Sequence, residues 1–446
     1  MFKGWLTDVE GAFAQARAQG KPLFLYWGAT WCPPCNRTKA TVFQSSRFAE
    51  LAQGFVALHL DGDAPGAQAL GARFQVRSYP TLVVLRADGT EITRLPCEVE
   101  GLRFLELLAL ALSSPVTVSE ALAAALNGSA QLSDDAWRLL GFYSWDTDEG
   151  ALLADRPLAA TLAQLAEAAP AGEARVRFQW LGLQAALAAR TYAGSAAADA
   201  AAVQAVLADR ASVHAQLDLV LNLAVDLVRG LTAPDTAERV QLASAWAQAL
   251  EFIENDLARN VADRLQALRT RVRLARLGGP AVNMGMARSR VETARLVVSE
   301  QALRHTVINS AAGVLADAGA LDEAQELLEA ELPRSHAPYY FMHNLATIAR
   351  KRDDRAGVLR WYEQAARTAV GPSTRLQWSV TYLLALVEQA PGDAARIQAA
   401  AADVLALARA LPDARAQRNG IQLRKLVGKL DSFAAPAAEL AAFARA

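Results

Sequence analysis

The stretch Thr30-Trp31-Cys32-Pro33-Pro34-Cys35-Asn36-Arg37 constrains this chain more than any other, because it places two cysteines where a buried strand turns into a helix. The apolar run Pro22-Leu23-Phe24-Leu25-Tyr26-Trp27 precedes it and Thr38-Lys39-Ala40-Thr41-Val42-Phe43 follows. A sulfur at a helix N-terminus meets unpaired backbone N–H groups and the positive end of the dipole, both of which favour thiolate over thiol. Cys35 lies one turn beyond Cys32 on the same face, within reach to close a disulfide. Proline is tolerated at both intervening positions, since first-turn N–H groups lack helical partners, but two prolines remove two donors from the sulfur's surroundings.

The elements around the pair alternate. Residues 7–19 place Val9, Phe13 and Ala16 at the spacing of a helix lying on a sheet, ended by Gly20, and a strand is expected over 22–28. The cysteine helix is expected over about 33–52. Phe55-Val56-Ala57-Leu58-His59-Leu60 reads as a second buried strand before the polar turn Asp61-Gly62-Asp63. A short helix around 65–73 leads to Tyr79-Pro80, then to two strands, 81–86 and 91–95, joined by Ala87-Asp88-Gly89-Thr90. Gly101 to Leu112 closes the series with an amphipathic helix, so the expected order is α-β-α-β-α-β-β-α.

In this order, residues 1–112 resemble a thioredoxin-fold domain, with Trp31-Cys32-Pro33-Pro34-Cys35 as redox motif and Tyr79-Pro80-Thr81 as the cis-proline loop. The opening, a Trp, an Ala-rich helix and Gly-Lys-Pro, is similar to the thioredoxin-like domains fused to bacterial thiol:disulfide interchange proteins. The resemblance implies that Cys32 is the nucleophile and Cys35 resolves the mixed disulfide. It also implies that Trp31, Tyr79 and Pro80 border the place where a substrate backbone docks.

Two positions depart from the family's pattern. A buried Asp under the motif and a Lys on the next strand are usual; Tyr26 and Ala57 stand there instead, so the proton relay that activates Cys35 must differ. His59, two residues past Ala57 on the same strand face, either serves that relay through its near-neutral pKa or is a partly buried structural histidine. Cys97, in Leu95-Pro96-Cys97-Glu98, either exchanges with Cys32 as a regulatory thiol or packs as a small hydrophobe in a tight loop.

Ser113-Ser114-Pro115 breaks the last helix, and 113–118 reads as a linker. From 119 to 446 the chain is rich in Ala and Leu, with helical periodicity throughout, so an all-α, repeat-like domain of α-solenoid type is expected. Ser119 and Ser133 read as N-caps, and Gly278-Gly279-Pro280 and Gly371-Pro372 as interruptions. From about residue 300, short polar turns recur before helices, as in Ala318 to Leu327, Arg352 to Leu359 and Pro391 to Ile397. This stretch resembles degenerate tetratricopeptide repeats. The aromatic run Pro338-Tyr339-Tyr340-Phe341-Met342-His343-Asn344, with Trp361-Tyr362 after it, lines a peptide groove on one reading and fills a helical core on the other.

A formal net charge of -1 gives no electrostatic case for nucleic acid or an anionic membrane surface. No stretch reaches the roughly 20 apolar residues of a membrane helix. The start turns polar at once, so the chain as written is expected in the cytoplasm, or in the periplasm if a leader has been removed. Three cysteines and five dispersed histidines argue against a disulfide scaffold or a metal site, and no cofactor is expected. The function expected is thiol–disulfide oxidoreduction, more in the reducing direction, with the helical part recruiting a protein disulfide substrate or redox partner. The alternative from another class is an interaction scaffold whose redox domain only senses; a holdase chaperone is a third.

Overall fold

The structure is a computed structural model that describes residues 3–128, 131–148, 150–298 and 301–445; the point near 300 where the repeat-like reading begins falls at a gap in that set. The N-terminal part is an α/β domain and a large all-helical region follows it. The α/β elements are β1 (Trp5–Leu6), α1 (Val9–Gln19), β2 (Leu23–Gly28), α2 (Pro33–Thr38), α3 (Ser46–Leu51), β3 (Val56–Asp61), α4 (Ala67–Arg73), β4 (Thr81–Leu85), β5 (Glu91–Leu95) and α5 (Gly101–Ser113). The five strands form one sheet in the order β1-β3-β2-β4-β5. β1 runs parallel to β3 with Trp5 opposite Ala57, and β4 and β5 form an antiparallel hairpin with an irregularity between Val84 and Leu85.

Local chemistry explains the boundaries. Asp8 caps α1 by accepting from the Gly11 N–H, and Gly20 ends it in the left-handed conformation that a residue without Cβ adopts at little cost. Along α1, Val9, Ala12, Phe13 and Ala16 are the buried residues, the stripe that a 3.6-residue period lays on a sheet. All six residues of β2 are buried, as its unbroken apolar run requires of a central strand.

Two expectations about local structure are corrected. The cysteine helix does not run from 33 to 52. It stops at Thr38, widens into a π-helical stretch over Lys39–Phe43, and restarts at Ser46 because the Ser45 hydroxyl caps a new first turn through the Phe48 N–H. The break lets Phe43 and Phe48 meet at 4.9 Å and both pack on Phe24. The N-cap after the linker is Thr117, not Ser119: Thr117 and Glu120 form a reciprocal capping box at the start of the helix Val118–Asn127. Ser133 does cap its helix. The strand β1, only two residues long, falls below what sequence period can detect.

By compactness the chain divides into two units that do not follow linear order. One comprises Met1–Leu25, Arg37–Leu58 and Leu82–Ala320. Its helical part has a core built around Trp180 and Trp246, whose rings lie 5.2 Å apart, with the Trp246 indole donating to the Val220 carbonyl at 2.8 Å. The other comprises Tyr26–Asn36, His59–Thr81 and Leu321–Ala446. In it, successive helices Pro338–Lys351, Arg355–Thr368, Pro372–Gln389 and Ala394–Ala410 pack on one another. Tyr339, Phe341, Met342, Trp361 and Tyr362 are buried there, so most of the aromatic run is core. Among the described residues no single helix is long and apolar enough to cross a membrane; Gly101–Ser113 and Val118–Asn127 reach that length only as a pair bent by 84°.

Candidate functional site

Cys32, Cys35, Trp31, Tyr79, Pro80 and His59 all belong to the second unit; Cys97 belongs to the first. Both motif cysteines are thiols in this structure, with Cys32 3% exposed and Cys35 fully buried. With Pro33 and Pro34 lacking N–H groups, the backbone N–H of Cys35 donates to the Cys32 sulfur, at 3.3 Å. That bond favours the charged form of Cys32. The Tyr79–Pro80 peptide bond is cis, and Pro80 is buried.

Tyr26 occupies the place beneath the motif. Burial first, then the neighbouring charge of Cys35 and Cys32, holds its phenol well above the ordinary value, so it stays protonated beside the pair. Its ring stacks on His59 with centroids 4.7 Å apart and planes 14° from parallel. His59 is half-buried and meets Tyr26 through this stacking. Ala57 is buried and carries no charge to replace the usual Lys.

Asp63 gathers the next shell. The Trp31 indole N–H donates to its Oδ2 at 2.6 Å and also reaches the Thr374 hydroxyl at 3.1 Å, while that hydroxyl donates to the same carboxylate oxygen. The Trp31 ring stacks on Tyr340 at 6.2 Å and meets Tyr79 edge-on at 5.8 Å. The Arg418 guanidinium lies 5.3 Å from the Trp31 ring centroid and 5.0 Å from that of Tyr79. Gln68 donates to the Gly62 carbonyl and to the Tyr79 hydroxyl; at Gly62 a side chain would collide with the Tyr79 ring. The Thr30 carbonyl accepts from Asn36 at 3.1 Å, and the His336 Nε2 lies 3.0 Å from the same oxygen.

Burial raises the Asp63 carboxyl above its ordinary value of 3.8, outweighing the bonds from Thr374 and Trp31 that lower it. A carboxyl raised in the folded state contributes stability below its unfolded pKa and loses it as pH rises through the folded one. Asp63→Asn keeps an acceptor for Trp31 and has no charge to bury. Its melting temperature should match the wild type near about pH 4 and exceed it by about 2 °C or more near pH 7, as read by thermal denaturation across that range. A constant difference at all pH values would contradict this account.

Cys97 is half-buried and lines a cavity of about 270 Å³ with Glu98, Tyr143, Trp145, Arg177 and Asp218. Among the described residues no group of three or more His, Cys, Asp or Glu side chains is placed to hold a metal ion. The participants that sequence reasoning missed are Asp63, Thr374, His336 and Arg418, while Tyr340 lay in the aromatic run read as groove or core. Asp63 carried a faint signal as the end of the Asp61-Gly62-Asp63 turn, while the other three lie about 300 residues or more from their partners, where no local pattern points to them.

Comparison with known proteins covers the N-terminal part. Residues 4–87 match the family model described as Thioredoxin-like, so this part of the chain is a thioredoxin-like domain. The thiol:disulfide interchange protein DsbD of Pseudomonas fluorescens is 32% identical over 105 residues, 22% of this chain and 18% of that protein. The chain thus spans less than a fifth of that relative's length. Among solved structures, a thioredoxin from Thermus thermophilus is 27% identical, with 24% of this chain and 86% of that one covered and a TM-score of 0.23. A DsbH oxidoreductase is 23% identical, with 24% and 83% covered and a TM-score of 0.22.

Proposed function

We propose that this protein is a thiol–disulfide oxidoreductase that reduces disulfides through Cys32 and Cys35. The observation that carries the reading is the Cys35 N–H on the Cys32 sulfur, within a thioredoxin-like domain. In the first step the Cys32 thiolate attacks one sulfur of a substrate disulfide; that S–S bond breaks, a mixed disulfide forms, and the other substrate sulfur leaves as a thiolate that takes a proton from solvent. In the second, Cys35 loses its proton and attacks the Cys32 sulfur, releasing the second substrate thiol. The substrate gains two electrons and the Cys32–Cys35 pair is left oxidised; an external dithiol reductant returns it.

Resolution asks more of Cys35 than attack asks of Cys32, since Cys35 is fully buried. The protonated Tyr26 phenol, which feels the charge of Cys35, supports it as charge develops there. A phenol held above its ordinary pKa serves as a donor, not as the base. The substrate class we assign is protein disulfides, by analogy with the interchange protein that the N-terminal part resembles. The helical residues 321–446 are the part through which a partner would be selected.

Two readouts test the proposal. Titration against glutathione buffers, with alkylation and mass analysis, should give a two-electron transition of Cys32 with Cys35 nearer about -270 mV than about -120 mV. In Cys35→Ser, a mixed disulfide with substrate should accumulate on Cys32, because the second step has lost its nucleophile. If the two cysteines do not titrate as a pair and no mixed disulfide appears, the enzyme reading falls and the scaffold alternative takes its place.

A further inference from the structure

Attack on a disulfide needs the thiolate sulfur in line with the S–S bond, so the bond must approach Cys32 end-on with its flanking atoms clear of the protein. A small disulfide brings few flanking atoms. A disulfide in a protein brings two stretches of backbone with it, and these must lie on the surface around Cys32. In this structure that surface is occupied by the chain itself. Trp31, next to Cys32, is 7% exposed: Thr374 bonds its indole, Tyr340 stacks on one face and Arg418 approaches its ring. Thr30 and Asn36, on either side of the pair, both meet His336. Tyr79, beside Pro80, lies under Arg418, and Gln68 accepts from the Arg418 backbone and donates its own to Asp413.

These contacts come from separate segments between residues 336 and 418 and converge on the two sides of Cys32. A few of them would be enough to tether a helical segment to a sheet. Their distribution is what matters, because they cover both flanks along which a polypeptide would have to lie. They are of several kinds: a hydroxyl on an indole, a guanidinium over two rings, an imidazole on a carbonyl and the Tyr340 ring stacked on Trp31.

We propose that Thr374, Tyr340 and Arg418 are specificity determinants that close the approach to Cys32 more against polypeptide disulfides than against small ones, so that a protein substrate is reduced only after this cover is displaced. The inference rests on the oxidoreductase reading and refines its substrate class. Arg418 carries most of the effect, since it touches Trp31 and Tyr79 together and is held in place by its bond to Gln377 at 2.6 Å.

The test uses the full chain and the variants Thr374→Val and Arg418→Ala, alone and combined. Thr374→Val preserves shape, so it reports on the cover even if the double variant folds poorly. Two disulfides are compared, hydroxyethyl disulfide and insulin, and Cys32 is alkylated with iodoacetamide or with a maleimide carried on a long polyethylene glycol. In the combined variant the ratio of insulin to hydroxyethyl disulfide reduction should rise about tenfold or more over wild type, with labelling by the bulky maleimide accelerated alike. A ratio that stays within about twofold, or a wild-type Cys32 that the bulky reagent labels as fast as the variant's, overturns the proposal. If neither disulfide is reduced by any form and yet bulky labelling is accelerated, the cover stands and the oxidoreductase reading fails instead.

Discussion

Cys32→Ser should bring disulfide reduction down to the uncatalysed background, a loss of at least about 1,000-fold in rate. A serine hydroxyl is a far weaker acid than a thiol, and oxygen attacks sulfur far more slowly than sulfur does. The fold should survive, since the exchange is nearly isosteric and the serine oxygen accepts the same backbone bond. The check is an insulin or small-disulfide assay beside a thermal melt. Activity retained to within about tenfold would place the nucleophile elsewhere and remove the mechanism, not merely weaken it. Comparison with Cys35→Ser separates the roles, because that variant should still perform the first step and stop at the mixed disulfide.

The second large effect concerns stability, in the first unit. Arg177 and Asp218 form a bidentate ion pair with both bonds at 2.8 Å and side chains only 3% and 9% exposed. The same guanidinium donates to the Gly141 carbonyl at 3.1 Å and lies 3.8 Å from the centroid of the Phe142 ring. Asp218→Ala leaves that cation buried without its counter-charge and should cost about 3–5 kcal/mol, measured by urea unfolding followed through tryptophan fluorescence. The double replacement Arg177→Met with Asp218→Leu should recover most of the loss, because neither charge then has to be desolvated. Equal losses in the single and double variants would mean that packing volume, not charge, dominates at this position.

What the sequence disclosed followed the range of its signals. Strands β2 to β5 and helices α1 and α5 were legible because each carries its own period, cap or turn, as Gly20 and the Asp88-Gly89 hairpin do. The break in the cysteine helix was not, since a serine at position 45 competes with continued helix by a margin that only the packing of Phe43 on Phe48 decides. At the site, Cys32, Cys35, Trp31, Tyr79 and Pro80 come from two local motifs that the fold brings together. Tyr26 was noticed as a departure, yet its electrostatic coupling to Cys35 depends on how the fold places it. Thr374 and Arg418 were invisible, because their meaning depends on contacts made across more than 300 residues of chain.

That separation governs the life of the molecule before it is complete. Gln68 and the Arg418 backbone that bonds to it lie 350 residues apart. At about 5–20 residues per second, the ribosome therefore carries a motif whose cover has not yet been made for roughly 20–70 s. During that interval the nascent dithiol meets the thiols and disulfides of its surroundings without selection by size. Only in that interval does exchange proceed without displacement of the cover.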